Sequence, residues 1–359
     1  MQQNFKTKIS VIGTVGLPAS YGGFETLAER LIEETSLSFT VYCSKNHYVD
    51  RPIEYKGADL VYIPFNANGA MSIIYDIVSM MHALISGHKN FLVLGVSGAI
   101  FFPILRLFPK LKIITNIDGI EWKREKWNLL AKYFLKFSEF LAVKYSTHVV
   151  SDNDAISEYI YKNYHSSCYT IAYGGDHALK STSTLNLHEN LNINSPFALS
   201  ICRIEPENNI SLILEAFSKA SLNIVFIGNW ENSTYGMQLY NKYKDAVNIT
   251  LLMPIYCLET LYAYRSSCSV YIHGHSAGGT NPSLIEIMHF SKPIAAFDCS
   301  FNRHTMENKG NYFKSSDDLL KLLNKQEFFT NGDDMVEIAK RRYTWDIVRK
   351  QYLELFTSQ

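Results

Sequence analysis

The sequence carries no excess of charge of either sign. Its 359 residues include 34 Lys and Arg and 34 Asp and Glu, so the formal net charge is zero. Nucleic-acid-binding proteins usually carry a clear basic excess, and this balance therefore argues against a nucleic-acid partner. Residues 1–8 are mostly polar and lead directly into an aliphatic run. We expect no signal peptide and a cytoplasmic protein.

Cysteine is scarce and widely spaced. The six cysteines are Cys43, Cys168, Cys202, Cys257, Cys268 and Cys299. No two of them have C-x-x-C spacing, which excludes a zinc knuckle and a thioredoxin-like redox pair. We expect buried free thiols in a reducing compartment.

Long uninterrupted apolar runs are missing as well. The most apolar stretch, 91–108, contains Gly95, Gly98 and Pro103, whereas a spanning helix needs about 20 apolar residues. We interpret it as a buried strand over Phe91–Val96, a turn and a helix. A membrane span is the minor alternative.

What the chain does contain is an alternation of short aliphatic runs with helix-length segments, which predicts βαβ units and parallel sheets. In the first half the predicted strands are Lys8–Ile12, Phe39–Cys43, Leu60–Ile63, Phe91–Val96, Lys112–Asn116 and His148–Ser151, and the predicted helices are Gly23–Glu34, Met71–Ile85 and Trp127–Lys144. In the second half the predicted strands are Phe197–Cys202, Ile224–Ile227, Val270–His273 and Pro293–Phe297, with a helix over Ser211–Ala220.

The length of the chain and its 47% hydrophobic content suffice for two such domains. A polar stretch from about Lys180 to Ser195 is the predicted linker. Two α/β halves joined by a hinge predict a ligand in the cleft between them, at the carboxyl ends of the strands.

Glycines follow the first predicted strand and open the first predicted helix. Gly13 and Gly16 are three apart, so the dinucleotide fingerprint G-x-G-x-x-G is not met. This disfavours a nicotinamide oxidoreductase. The Gly22-Gly23 pair either presents backbone amides to an anion or serves only as a helix-entry turn, and the residues alone leave both readings open.

Charged side chains follow two further predicted strands. Asp118 lies just past Lys112–Asn116, where a carboxylate could orient a sugar hydroxyl or stabilise positive charge at an anomeric carbon; alternatively, Asp118 or Glu121 caps the next helix. Arg203 directly follows Phe197–Cys202. Its guanidinium either binds phosphate oxygens or pairs with a glutamate at 205 or 207.

The most informative segment is 273–286, which runs from a strand through a Gly-rich loop into a helix beginning near Pro282. Free amides from Thr280 to Leu284 and the helix dipole predict an anion site. Glu286 is placed to accept hydrogen bonds from two ribose hydroxyls. His273 and His275 have no suitably spaced third ligand, and a metal site is rejected.

Taken in order, these motifs resemble those of glycosyltransferase family 4, and specifically its rhamnosyltransferase-like branch. The segments that carry the resemblance are 12–18, 21–26, 118–124 with Trp127, 173–176, 203–209 and 273–286. The resemblance implies the GT-B fold, with two Rossmann-like doubly wound parallel-sheet domains facing a central cleft. It also implies an acceptor-side domain over 1–178, onto which a C-terminal helix within 343–359 packs back, and a nucleotide-sugar-binding domain over 179–342.

The resemblance further implies a retaining transfer from a nucleotide-sugar donor with no metal and no other cofactor. The implied catalytic residues are Asp118, Arg203 and Glu286. The implied donor-binding residues are Gly22, Gly23, Arg203, His275, Gly279, Thr280, Asn281, Ser283, Leu284 and Glu286, and the implied acceptor or sugar contacts are Glu25, Asp118 and Glu121.

Three departures from the family pattern matter. A lysine that often follows the arginine is replaced by the stretch 207–209, so one phosphate cation is missing. The usual pair of glutamates eight apart is incomplete, because Gly278 stands eight residues before Glu286. Asp118 occupies the place of a histidine that contacts a donor 6-hydroxyl, which is compatible with a 6-deoxy sugar such as rhamnose from dTDP-rhamnose.

By family analogy the acceptor is a lipid-linked saccharide in O-antigen or capsule synthesis. The Lys- and aromatic-rich segment Trp122 to Tyr145 either lies on the anionic inner membrane surface or is an ordinary helix with a solvated basic face. The alternatives are a UDP-hexose or UDP-N-acetylhexosamine donor, a GT-B epimerase or hydrolase, the nicotinamide oxidoreductase, and an inactive binding protein.

Overall fold

Two β-sheets organise the part of the chain that the computed structural model describes, which comprises residues 7–20, 22–34, 36–123, 127–180, 196–324 and 330–357. The chain divides into two compact units, Met1–Ile171 with Val348–Gln359 and Ala172–Ile347. The predicted domain boundaries after residues 178 and 342 stay a prediction. The predicted linker, apart from Lys180, lies outside the described residues.

The first unit is built on an eight-stranded sheet of order β3-β4-β2-β1-β5-β6-β7-β8. Its strands are β1 (Lys8–Ile12), β2 (Ser38–Ser44), β3 (Glu54–Tyr55), β4 (Ala58–Ile63), β5 (Asn90–Leu94), β6 (Lys112–Asn116), β7 (His148–Ser151) and β8 (Tyr169–Thr170). Its helices are α1 (Gly23–Leu31), α2 (Met71–Ile85), α3 (Phe102–Leu105), α4 (Leu129–Tyr145) and α5 (Asp154–Tyr164). All pairings are parallel except that of β3 with β4.

The second unit is built on a six-stranded parallel sheet of order β11-β10-β9-β12-β13-β14. Its strands are β9 (Phe197–Ile201), β10 (Asn223–Ile227), β11 (Ile249–Leu252), β12 (Val270–His273), β13 (Ile294–Phe297) and β14 (Asn311–Phe313). The helices from here on are α6 (Ile210–Ser218), α7 (Thr234–Tyr243), α8 (Leu258–Ser267), α9 (Pro282–Met288), α10 (Ser300–Thr305), α11 (Ser316–Leu323), α12 (Gly332–Arg342) and α13 (Trp345–Thr357).

Both sheets reverse their strand order at the first strand of the unit. β1 lies between β2 and β5, and β9 lies between β10 and β12. In open parallel sheets the loops at such a switch point part on opposite faces and leave a crevice at the carboxyl edge. The Gly-rich loop after β1 lies at the switch of the first sheet, and the loops after β9 and β12 lie at the switch of the second.

The predicted doubly wound parallel sheets are confirmed. Four strands and one helix have the predicted bounds, because the apolar runs that predicted them are buried. Strands β1, β6, β7 and β12 and helix α2 match to the residue. Two expectations need correction. The β3–β4 hairpin adds an antiparallel edge that the sequence did not predict. Burial of the cysteines holds for Cys43 and Cys268, whereas Cys168, Cys202 and Cys299 are half-buried and Cys257 is exposed, so the prediction was wrong for Cys257.

The apolar stretch 91–108 contains β5 and α3 separated by a turn, as predicted. The minor alternative of a membrane span is therefore wrong for this stretch. Among the described residues, none of the helices combines the length and the apolarity that crossing a bilayer would require.

The end of α13 packs on the first unit through polar contacts. Arg349 Nη1 lies 2.9 Å from the Glu33 carboxylate, and Asn116 Nδ2 donates to the Tyr352 hydroxyl at 2.9 Å. The burial of Tyr352 removes its ring from water. These contacts connect Arg349 to the segment after α1 and Tyr352 to the carboxyl end of β6.

The first unit buries a carboxyl group, that of Asp76, and one of its two oxygens lacks a hydrogen-bond partner among the described residues. Asp76 on α2 accepts a hydrogen bond from the Gly98 amide, and its Oδ1 atom has no hydrogen-bond partner among the described residues. Gly98 permits this approach, because a Cβ atom there would lie 2.4 Å from the Asp76 Cβ. Burial raises the pKa of Asp76 to about 8, since a charged carboxylate loses hydration there.

We expect the Asp76→Asn variant to become progressively more stable than the wild type as the pH rises. With a folded pKa above the unfolded one, wild-type stability is greatest below the unfolded pKa and falls until the pH passes about 8. The difference should grow by at most about 1.4 kcal/mol per pH unit in that window. Urea unfolding at several pH values measures it, and a pH-independent difference would contradict the assignment.

Candidate active site

The Gly-rich loop after β1 is held by the first helix. Glu25 on α1 is buried, and its Oε1 atom accepts hydrogen bonds from the Val15 amide at 2.8 Å and from the Thr14 hydroxyl at 3.1 Å. The structure thus places Glu25 as an anchor of the loop. Its implied contact with acceptor or sugar stays a prediction.

The glycine pair predicted to bind phosphate lies at the start of α1. Gly22 precedes the helix with extended backbone and no side-chain cap, and Gly23 is the first helical residue. A Cβ on Gly22 would lie 2.9 Å from the Glu25 Oε2 atom. Tyr21, which belongs to the same motif, lies outside the described residues.

Asp118 follows β6 with left-handed backbone, at φ 58°. Its amide donates to Asn116 Oδ1 at 3.0 Å, which fixes the turn after the strand. Glu121 Oε1 accepts from Trp127 Nε1 at 3.0 Å. Helix α4 is capped instead by Asn128, whose Oδ1 accepts from an amide in the first turn at 2.9 Å, so the alternative that Asp118 or Glu121 caps this helix is wrong.

In the second unit the structure joins the two loops that follow β9 and β12. Asn208 Nδ2 donates to the Arg203 carbonyl at 2.7 Å, so Asn208 Oδ1 is the acceptor for His275 Nδ1 at 2.8 Å. Asn209 Nδ2 donates to the Gly274 carbonyl at 2.8 Å. A Cβ on Gly274 would lie 2.0 Å from the Asn208 carbonyl oxygen, so only glycine permits the loops to meet this closely.

Arg203 projects from this joined pair of loops. Its side chain is 58% exposed, and Nη1 lies 3.6 Å from Glu205 Oε1. The surface ion pair that the sequence left open as an alternative is therefore present. Such an exposed pair contributes only about 0–1 kcal/mol, so it presents little resistance to a phosphate that competes for the guanidinium.

Two backbone amides at the start of α9 are hydrogen-bonded, whereas the sequence predicted that they would be free. The Ser283 amide donates to Asn281 Oδ1 at 3.0 Å, and the Leu284 amide donates to the Asn281 carbonyl at 3.0 Å. The expectation of free amides is therefore wrong for these two residues, because Asn281 caps the helix and takes both donors. Gly279 and Thr280 are buried in the Gly-rich loop before α9. Their part in donor binding stays a prediction.

Glu286 on α9 lies in a cluster of cationic and hydrogen-bonding side chains. Arg265 Nη2 on α8 forms a short charged hydrogen bond with Glu286 Oε2, and His177 Nε2 lies 3.2 Å from Glu286 Oε1. Trp345 Nε1, which can only donate, bonds His177 Nδ1 at 3.0 Å. His177 therefore carries its proton on Nε2 and donates a hydrogen bond from Nε2 to Glu286.

The electrostatics of this cluster keep Glu286 ionised. Burial raises the pKa of Glu286, but the Arg265 charge and the His177 hydrogen bond together outweigh burial and hold the pKa below its ordinary value. A carboxylate in that state is an acceptor only and can receive further hydrogen bonds on its remaining lone pairs.

Two family models match the chain. Residues 184–335 match the family model described as Glycosyl transferases group 1. The chain is a glycosyltransferase. Residues 6–176 match the model named Domain of unknown function (DUF1972). Comparison with curated protein sequences found no match.

Solved structures similar to this glycosyltransferase extend over the whole chain. Sucrose-phosphate synthase from Thermosynechococcus elongatus has a TM-score of 0.78 at 15% identity, with coverage of 99% of this chain and 100% of that one. Anabaena HepE in complex with UDP-glucose has a TM-score of 0.74 at 15% identity, covering 98% and 100%. The catalytic domain of Arabidopsis thaliana starch synthase IV, bound to ADP and acarbose, has a TM-score of 0.69 at 11% identity, covering 98% and 99%. The predicted GT-B fold is confirmed.

Sequence reasoning missed three residues of the glycosyltransferase's C-terminal unit. Asn208 belongs to the 203–209 motif but was predicted to have no role of its own, and His177 directly follows the 173–176 motif. Arg265 belongs to no motif, and its one signal is a charge at a position of α8 that the helix buries. Arg265 adds a buried cation to this unit, and that cation pairs with Glu286.

The two histidines that the sequence analysis considered as metal ligands, His273 and His275, have different surroundings. His273 is buried, and burial lowers its pKa well below the ordinary value. His275 instead ties the loops through Asn208. Within the described ranges, no group of three or more His, Cys, Asp or Glu side chains is placed to hold a metal ion.

Proposed function

We propose that this glycosyltransferase takes its sugar from a nucleoside-diphosphate donor and transfers it with retention of configuration and without a metal ion. The observation that carries the proposal is the ionised Glu286 carboxylate held by Arg265 and His177. A fixed carboxylate of this kind suits the two adjacent hydroxyls of a ribose, each of which donates one hydrogen bond. The complex of Anabaena HepE with UDP supports a nucleotide ligand for this fold.

The proposed reaction is a front-face displacement. The bond between the anomeric carbon and the donor phosphate oxygen breaks, and a bond from the acceptor oxygen forms on the same face. The acceptor proton passes to an oxygen of the leaving diphosphate. Arg203 offsets the charge that develops on that diphosphate, and no protein nucleophile is required.

For the donor we propose dTDP-rhamnose. The support is Asp118, which stands where the family places a histidine for a 6-hydroxyl that rhamnose does not have. A second candidate is UDP-glucose, because Anabaena HepE, which shares the fold, was solved with that molecule.

For the acceptor we propose a lipid-linked saccharide used in O-antigen or capsule synthesis at the cytoplasmic face of the inner membrane. The proposal follows the family resemblance. The exposed composition of α4 supports it from the structure.

A panel of nucleotide sugars tests the donor. We expect dTDP-rhamnose to raise the melting temperature most, since a ligand at 100 times its Kd stabilises the folded state by about 2.7 kcal/mol. Transfer should continue in the presence of a chelator. A larger shift with UDP-glucose would select the second candidate, and isomerisation of the donor without acceptor would identify an epimerase. The absence of a shift with every nucleotide sugar would contradict the proposal.

A further inference from the structure

The outward face of α4 has an unusual composition for a protein surface. Its exposed residues are Leu129, Leu130, Tyr133, Lys136, Phe137, Phe140 and Lys144. Five of these seven are apolar or aromatic, two are lysines, and none is acidic. Single exposed apolar residues are normal on protein surfaces, but a continuous set of them marks an interaction site.

These seven side chains form one stripe. At 3.6 residues per turn they fall within an arc of about 120°, and the stripe is about 22 Å long. The acidic residue of the helix points elsewhere, since Glu139 is buried and accepts hydrogen bonds from the hydroxyls of Tyr159 at 2.7 Å and Tyr164 at 2.5 Å. The helix therefore directs its one carboxylate inward and its apolar residues and lysines outward.

The lysines of the stripe are not neutralised by carboxylates among the described residues. Lys136 Nζ lies 4.9 Å from the centroid of the Trp122 ring, and Lys144 Nζ lies 5.5 Å from that of Phe140. Both lysines are exposed. Because the whole chain has no net charge, this stripe is a local basic and apolar surface rather than part of a general positive field.

Two features adjoin α4. Arg106 Nε donates to the Tyr145 carbonyl at the end of the helix at 2.6 Å, and the two residues that follow Arg106, Leu107 and Phe108, are exposed. On another side, a pocket of about 570 Å³ is lined by Phe140, Val143, Lys144, Asn163, Tyr164, His165 and Ser166. The pocket shares Phe140 and Lys144 with the stripe and adds polar side chains to it. The volume of the pocket suits a phospholipid headgroup.

We propose that this face of α4, with the pocket beside it, docks on an anionic lipid bilayer. Apolar side chains that enter the boundary of the acyl chains, together with lysines at headgroup level, are the two requirements for interfacial binding. A protein partner fits less well, because protein interfaces need about one hydrogen bond per 100–200 Å² and are depleted in lysine. The exposed positions of this stripe include no Ser, Thr, Asn or Gln.

The proposal rests on the proposed function in one respect, because a lipid-linked acceptor would be met at such a surface. Its test does not depend on catalysis. The full chain is co-sedimented with vesicles of phosphatidylcholine alone and with vesicles that also contain phosphatidylglycerol. We expect binding to the anionic vesicles, weakened by salt, and little binding to the neutral ones.

Two double variants separate the contributions of the stripe. Lys136→Glu with Lys144→Glu should lower the partition constant about tenfold or more, and Leu130→Ser with Phe137→Ser should lower it by about as much. The matched control is Ile85→Ser with Lys89→Glu, which changes one apolar and one basic residue at the exposed end of α2 and its following loop. Its binding should equal that of the wild type.

Three results would overturn the docking proposal: no preference of the wild type for anionic vesicles, an equal loss in the control, or a lipid-free dimer that Leu130→Ser with Phe137→Ser converts to monomer. Transfer to a water-soluble acceptor fragment distinguishes the two proposals. Transfer without vesicle binding would refute the docking face alone, whereas vesicle binding without turnover of any donor would refute the proposed function alone.

Discussion

Replacement of Arg203 by alanine is expected to lower kcat about 10²–10³-fold with little change in melting temperature, the size seen when one group that stabilises developing negative charge is removed. The guanidinium is 58% exposed and, among the residues that the structure describes, forms its ion pair with Glu205 at 3.6 Å, so its loss opens no cavity and leaves no buried charge. Steady-state kinetics with a saturating donor, together with thermal unfolding, measure the two quantities.

Arg341→Ala is the matched control for this variant. Arg341 is 55% exposed and pairs with Glu307 at 2.7 Å in the same unit, but it lies on α12 and belongs to neither the loop after β9 nor the loop after β12. Its removal should leave kcat unchanged. Near-normal transfer by Arg203→Ala, or an equal loss in Arg341→Ala, would remove Arg203 from the reaction.

The Glu286→Gln variant is expected to lose both stability and nucleotide binding. Arg265 is 4% exposed and Glu286 16%, so the substitution leaves a buried guanidinium without its counter-charge, at a cost of about 3–5 kcal/mol. The nucleotide-induced rise in melting temperature should disappear, because the amide no longer provides a charged acceptor. Urea unfolding and the donor panel measure these effects.

A second substitution separates the two effects of Glu286→Gln. Adding Arg265→Met removes the orphaned charge, and replacing a buried ion pair by apolar or neutral groups is often close to neutral for stability. The double variant should therefore regain most of the stability of the wild type without regaining nucleotide binding. Recovery of binding in the double variant would show that Glu286 acts only on the fold.

The same cluster predicts a dependence of stability on pH. The folded pKa of Glu286 is lowered, so its contribution is fully present above the unfolded pKa and is lost as the pH falls through the folded one. The wild type should lose its advantage over Glu286→Gln in acid. This direction is opposite to that expected for Asp76, whose raised pKa makes the wild type lose stability as the pH rises.

Element identity was predictable where a single physical signal dominated. β1, β6, β7 and β12 are short aliphatic runs that a parallel sheet buries on both faces, and their bounds follow from hydrophobicity alone. The two-residue strand β3 escaped prediction because its pairing depends on the tight turn at 56–57, whose residues both have positive φ. The motif loops were predictable as candidates because each follows a strand.

The partners of those loops were not predictable. Arg265, His177 and Trp345 are far from Glu286 in sequence, and only the packing of α8, α9 and the segments flanking them brings the four side chains together. The same holds for the amides of Ser283 and Leu284, whose availability depends on how Asn281 turns its side chain. Local sequence patterns carry no information on contacts between residues distant in sequence or on the rotamer that a side chain adopts.

The sequence by itself determined the class of fold and indicated candidate segments for the site, because hydrophobic period, glycine position and charge at strand ends act locally along the chain. Only the tertiary structure decided that Glu286 is held ionised, that Arg203 is exposed, and that α4 turns its carboxylate inward and its apolar and basic residues outward. Those properties arise from burial and from contacts between residues distant in sequence, which exist only once the chain has folded.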